Sequence, residues 1–308
     1  MHLCAAFSPA FLSSAPPALS FGSSIQPSIQ PSTQASTQSS RFNLLLPLLH
    51  HLGPAWLARR AWWACERKLG LWEWRSPMRP WKDFAIDFDP AAWRQSAPRL
   101  PIALLDRGHL APPLEAWSVS SGHTPVAEAD AFARGYARTF SHQLVEVGRP
   151  DRWTRSVLTG HSTDPYAHWS RLRDAGSDDI KGVWELSRFS FAFALVRAWL
   201  RDGDDRHVEL FWSTLEDWMT RNPPNRGPNW MCGQEAAFRL IAVTFAVQAF
   251  RDHPASTDER LTLVARLADA TARRIRFHFD YALSQQNNHG IAEAIGLQTA
   301  AVYWAYRP

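Results

Sequence analysis

Lysine is nearly missing from this chain: Lys68, Lys82 and Lys181 are the only lysines among 33 basic residues in 308. The formal net charge is only +4, and no lysine–arginine block tracks a phosphate backbone, so nucleic acid is not an expected partner. Cysteine is scarce as well. Cys4, Cys65 and Cys232 are odd in number and far apart, which excludes a disulfide framework and a metal-binding spacing and leaves buried free thiols as the expectation. No run of 18 or more apolar residues occurs, so no membrane-spanning helix is expected. A P-loop, a glycine-rich dinucleotide fingerprint and a Gly-x-Ser-x-Gly elbow are all missing. His278 and Asp280 make no metal pattern with His289 and Glu293, so neither cofactor nor metal is expected.

Tryptophan is abundant, with 16 residues. Core packing explains most of such a set, and sugar-ring platforms are the functional alternative. Residues 1 to 41 are rich in Ser, Pro, Gln, Thr and Ala and cannot bury enough apolar surface to fold, so they are expected to be disordered. Leu3 to Leu19 is mildly apolar, but it lacks a basic start and is broken by Pro9, Pro16 and Pro17, which makes a poor export signal. Residues 42 to 308 are expected to form one domain.

Helical periodicity covers residues 44 to 71, with an interruption at Gly53-Pro54. Residues 72 to 125 read as an irregular wrap, and a helix is expected over 127 to 147. The second half is clearer. Leu186, Phe189, Phe193, Val196 and Leu200 mark one apolar helix face. Val208, Phe211, Trp212, Leu215 and Trp218-Met219 mark a second, and Ala237, Leu240, Ile241 and Phe245 a third. Further helices are expected over 258 to 283 and 291 to 304, with breakers at Asp202-Gly203-Asp204, at 222 to 228 and at His253-Pro254. Short loops between such helices imply antiparallel neighbours, hence an all-α bundle, solenoid or α/α toroid.

Three segments carry candidate chemistry. Gln286-Asn287-Asn288-His289-Gly290 lies at a helix junction, where an asparagine is a natural cap and Glu293 would support the same helix end. The functional alternative is β-elimination from a uronate. There a carboxamide neutralises the sugar carboxylate, a base removes the C5 proton and an acid protonates the leaving oxygen. Asn288 and His289 supply the charge-neutralising half of such a site, with Asn287 beside them. The second segment, 222 to 239, holds Trp230 as a sugar platform and Arg239 as a carboxylate or sulfate contact. Its bland alternative is an exposed Glu235–Arg239 ion pair. In the third, Trp184 and Arg188 stand one turn apart, as core residue and surface arginine or as cleft wall. Cys232 has no evident base partner.

Lys181-Gly182-Val183-Trp184-Glu185-Leu186-Ser187-Arg188, then Trp218 with Asn222-Pro223, Gly227-Pro228-Asn229-Trp230 with Ala237-Phe238-Arg239, and Asn287-Asn288-His289-Gly290 with Glu293-Ala294 and Gly296-Leu297 together resemble the helical domain of heparinase II/III-like polysaccharide lyases. The resemblance covers residues 130 to 308. It implies an incomplete α/α toroid, with a β-sandwich and a catalytic tyrosine beyond Pro308, so the chain reads as cut short. Tyr303 and Tyr306 lie too close to the Asn-His pair to replace that tyrosine. The implied partner is an acidic, uronate-containing polysaccharide, the implied location periplasmic or secreted. The implied roles are Asn288 as carboxylate neutraliser and His289 as assisting group. A non-catalytic acidic-polysaccharide binder is the alternative. A glycoside hydrolase would need two facing carboxylic acids, and the sequence nominates no such pair.

Overall fold

A computed structural model describes residues 53–100, 124–149, 151–172 and 179–304. The expectations for residues 1 to 41, for 44 to 52 and for 101 to 123 of the irregular wrap lie outside the described residues. Chain contacts separate residues 1–53 from a unit spanning Pro54–Pro308, and the latter carries everything that follows.

The unit is predominantly helical. The helices are α1 (Pro54–Lys68), α2 (Leu71–Arg75), α3 (Pro90–Ser96), α4 (Pro125–Ala133), α5 (Lys181–Ser187), α6 (Phe191–Asp202), α7 (Arg206–Arg221), α8 (Gly233–Ala249), α9 (Asp258–Ser284) and α10 (Asn288–Trp304). Among the described residues, short 3-10 turns occur at Trp81–Asp83, Trp169–Arg171 and Pro228–Trp230. Strands β1 (Tyr136–Thr139) and β2 (Gln143–Glu146) pair antiparallel, with Thr139 opposite Gln143.

This hairpin corrects the helix expected over 127 to 147. The helix stops at Ala133, Gly135 turns the chain at φ 86°, and Phe140 and Ser141 take positive φ in the loop between the strands. The loop is held from outside. Phe140 N–H donates to Glu185 Oε1 at 2.7 Å, so a carboxylate of α5 stabilises a turn whose own residues do not favour it. In the wrap, the short helices α2 and α3 appear. Asp89 caps α3 by accepting from the amides of Ala91 and Ala92, with Pro90 in its first turn.

The later helices follow the sequence closely. α6 ends on Gly203 at φ 74°, and the chain returns through Asp204 and Asp205 into α7. The predicted stripe of α7 is fully or almost fully buried: Val208, Phe211, Trp212, Leu215, Trp218 and Met219. α8 is the central helix. It packs against α6, α9 and α10, and it buries side chains around its whole circumference. Thr257 caps α9 by accepting from Arg260 N–H, and α9 then runs to Ser284 with one non-helical residue, His278. Eight of the sixteen tryptophans are buried core: Trp153, Trp212, Trp218 and Trp230 fully, and Trp72, Trp93, Trp169 and Trp304 nearly so.

Two glycines let α8 and α10 approach closely. A Cβ on Gly296 would stand 2.6 Å from the Ala237 Cβ, and one on Gly233 would stand 2.6 Å from the Glu293 carboxyl carbon. Both clashes lie along one α8–α10 crossing, which fixes the depth at which α10 seats.

Candidate functional site

The first turn of α10 is built by a tight connection. α9 ends at Ser284, Gln286 adopts φ 51°, and Asn287 Oδ1 accepts from His289 N–H at 3.0 Å. Asn287 is therefore the residue that caps α10. Asn288 follows as the first helical residue. It is exposed, and its side chain forms no hydrogen bond among the described residues. His289 is half-buried against the start of α8.

Glu293 does not support its own helix end, contrary to the sequence expectation. One turn beyond His289, it points into the α8–α10 crossing, where its carboxylate faces the Gln234 amide in the first turn of α8. Cys232, which precedes α8, offers no side-chain cap, so Glu293 serves that helix end across the interface. Burial raises the Glu293 carboxyl to about 7, against the pull of Arg274 and the Gln234 amide. Its Oε2 is buried without a partner among the described residues, as is Nη1 of Arg274. Arg274 itself is buried over the Trp169 ring and donates to the carbonyls of Trp230 and Met231. Burial lowers it to about 10.

Arg188 lies nearby. Its Nε and Nη2 donate to Glu235 at 2.6 and 2.8 Å, and Nη1 also pairs with Glu185. It is not the plain surface arginine of the bland alternative. The hydrogen bond to Glu235 pushes the guanidinium up, against desolvation. This fork-to-fork pair also corrects the expected Glu235–Arg239 pair: Glu235 turns to α5, not along its own helix. Glu235 in turn acts electrostatically on His289, opposing the burial that lowers the imidazole. Trp184 is half-buried and donates from Nε1 to Pro228 O at 2.9 Å, which ties α5 to the 3-10 turn before α8.

Two expectations for substrate-binding residues are overturned. Trp230 is 0% exposed, donates to Asn222 O and packs near Trp218 and Trp81, so neither ring face is free for a sugar. Arg239 is 1% exposed, sits 4.2 Å above the Trp218 ring and donates to the carbonyls of Ser187 and Asn229. Its charge is deep enough that burial lowers it to about 9. The polar loop from 222 to 230 folds inward. Asn229 Nδ2 donates to Trp153 O and to Asn222 Oδ1, and Asn222 Nδ2 donates to Trp218 O. These buried amides tie the loop to the end of α7 and to Trp153.

The sequence reading also missed a contact. His289 Nδ1 lies 3.8 Å from Cys232 Sγ, so the cysteine that lacked a base partner in sequence has one in space. Burial pushes that thiol up to about 11. No local signal announces the contact, because the two residues are separated by all of α8 and α9.

Among the described residues, no group of three or more His, Cys, Asp or Glu side chains is arranged to hold a metal ion. Among the same described residues, no helix is long and apolar enough to cross a membrane. A cavity of about 410 Å³ opens beside the α10 start, lined by Phe279, Leu283, Asn287, Gly290, Ile291 and Ile295. A larger one of about 870 Å³, between Trp93, Asp269, Arg273 and Trp304, holds none of the candidate site residues.

What the arrangement offers chemically is an exposed carboxamide and a neutral imidazole on a helix N-terminus, beside an arginine neutralised by two carboxylates. No curated protein and no solved structure matches the chain. Residues 162–305 do match a family model, that of the heparinase II/III N-terminus. The matched span takes in Trp184, Arg188, Asn288 and His289, and over it the chain is similar to the N-terminal domain of the heparinase II/III family.

Proposed function

We propose that this protein is a polysaccharide lyase component that binds a uronate-containing chain at the first turn of α10 and serves its cleavage by β-elimination. The observation that carries the reading is Asn288. It is exposed, free of intramolecular hydrogen bonds among the described residues, and placed at the N-terminus of a 17-residue helix whose cap is already supplied by Asn287. A side chain spared from capping is available to a ligand. The site's amide dipoles favour an anion there.

In this reading Asn288 donates to the uronate carboxylate. It thereby stabilises the charge that develops when the C5 proton leaves, and His289 assists beside it. Trp184 and Arg188 wall the same region. Arg188 has its charge spent on Glu185 and Glu235, so it orders the wall without being the primary anion ligand. The likeness to the heparinase II/III N-terminus supports a toroidal arrangement of the helical hairpins and an extracellular or periplasmic setting as parts of this proposal.

The test is incubation with heparan-type chains, alginate and an acidic bacterial exopolysaccharide, followed by the ultraviolet absorbance of unsaturated uronate ends. Alongside it, titration with the same oligosaccharides reads binding. Binding of at least one uronate polymer that weakens in Asn288→Ala is expected. Absence of binding to every uronate chain overturns the proposal. Binding without any unsaturated product, unaffected by Asn288→Ala, would favour the non-catalytic alternative.

A further inference from the structure

The Cys232–His289 contact is not used by the lyase reading, and it has a chemical consequence. Sγ and Nδ1 are 3.8 Å apart, and the described residues give neither ring nitrogen another hydrogen-bond partner. Cys232 is half-buried, and its sulfur faces the Gln234 and Glu235 amides at the start of the helix it precedes. Those amides engage the sulfur as an acceptor and leave the thiol hydrogen to point across to α10.

Two placements of hydrogen are available. Either the thiol donates to an unprotonated Nδ1, or an Nδ1–H group points at sulfur. An unprotonated imidazole nitrogen is a strong acceptor and a thiol sulfur a weak one, so the first placement forms the better bond. The second also leaves the thiol hydrogen without an acceptor. Burial keeps the thiol protonated, since it is raised to about 11 against the pull of the first amides of α8. Burial also lowers His289, which keeps the ring neutral near pH 7 despite the opposing charge of Glu235. Glu235 does not compete for the ring as an acceptor, because both of its oxygens are engaged by Arg188. Arg188, Arg239 and Arg274 are the cations that interact with Cys232; Arg188 is held by Glu235 and Glu185, Arg239 by the Ser187 and Asn229 carbonyls and Arg274 by the Trp230 and Met231 carbonyls.

We propose that Cys232 is a positioning residue: its thiol donates to His289 Nδ1 and fixes the Nε2–H tautomer, so that His289 presents a hydrogen-bond donor to the ligand held by Asn288. A partner on one ring nitrogen sets what the other nitrogen offers. The catalytic meaning rests on the lyase reading: with Nε2–H turned outward, His289 shares the carboxylate charge with Asn288, and the C5 proton is taken by a different group. The tautomer itself does not depend on that reading.

The experiment is nitrogen NMR of the full chain labelled with ¹⁵N-histidine at pH 8, with His289→Gln to assign the resonance. In the wild type, Nε2 is expected at the protonated position and Nδ1 at the unprotonated, hydrogen-bonded one. In Cys232→Ala both resonances move toward the averaged positions of a mixed tautomer, while Cys232→Ser, which keeps a donor, restores the wild-type pattern. A merely structural role for Cys232 would not be rescued in this way. An Nδ1–H tautomer in the wild type overturns the proposal, and so does an unchanged spectrum in a folded Cys232→Ala protein. The wild-type spectrum decides even if a variant fails to fold. Because no substrate is involved, failure here is separate from failure of the lyase assay.

Discussion

Replacing Glu293 by Gln should stabilise this protein above neutral pH. The side chain is 4% exposed, and burial raises its carboxyl from 4.5 to about 7. Below about pH 4.5 the group is protonated in both folded and unfolded chains and contributes no difference. Between 4.5 and 7 the folded chain retains a proton that the unfolded chain has released, so folding stability falls as pH rises through this window. Above 7 the folded chain carries a deficit of about 3 kcal/mol from the buried charge. The amide of Gln carries no charge and keeps an oxygen facing the Gln234 amide. The variant should therefore match the wild type at pH 4.5 and exceed it at pH 8 by about 2–3 kcal/mol. The corresponding rise in melting temperature is on the order of 5–10 °C. Urea unfolding followed by circular dichroism at pH 4.5, 6 and 8 reads the effect directly. Equal spacing between the two proteins at all three pH values would refute the assignment, as would a variant less stable at pH 8. Either result would mean that Glu293 is ionised and well satisfied in the folded chain.

Other expectations follow from the same geometry. Arg239→Ala should cost about 3 kcal/mol or more, since it empties a space beneath Trp218 and orphans the carbonyls of Ser187 and Asn229; a urea melt measures it. Arg188→Ala leaves Glu185 and Glu235 buried without their cation and should cost about 3 kcal/mol, read in the same way. Maleimide labelling with peptide mapping at pH 7.5 should modify the exposed Cys65 readily and leave Cys232 unmodified until the chain is unfolded, since a thiol raised to about 11 offers almost no thiolate. Comparable labelling of both in the folded chain would contradict the burial of Cys232.

The parts of the fold legible in the sequence are those whose apolar spacing is set by burial on one side. The stripe of α7 read correctly because a single face meets the core, and α9 was bounded at Thr257 and Ser284 by its own cap and its own end. The single face expected from Leu186 to Leu200 is instead broken at Phe189, φ 60°, between α5 and α6, and Phe193 is exposed. The β1–β2 hairpin was not legible, because Phe140 and Ser141 are poor turn formers and the group that holds them, Glu185, comes from another element. Trp230 and Arg239 misled for a related reason. A polar, proline-rich loop ordinarily lies on the surface, but here Asn222 and Asn229 fold its polarity inward and carry the aromatic ring with it. Of the candidate site, the Asn-His pair was legible from its place at a helix junction. Its surroundings were not. Cys232, Glu235 and Glu293 reach His289 or its helix only through the close α8–α10 crossing that Gly233 and Gly296 permit.

The division of labour between two adjacent asparagines is the centre of this account, and one paired measurement tests it. Asn287→Ala and Asn288→Ala are compared for folding stability and for affinity toward whichever uronate oligosaccharide the wild type binds. Loss of the Asn287 cap should lower stability by about 1 kcal/mol. Loss of Asn288 should leave stability unchanged and weaken binding by about tenfold or more, the worth of one charge-assisted hydrogen bond. If Asn288→Ala destabilises the fold and leaves affinity intact, Asn288 is a structural residue and the first turn of α10 is not the carboxylate site.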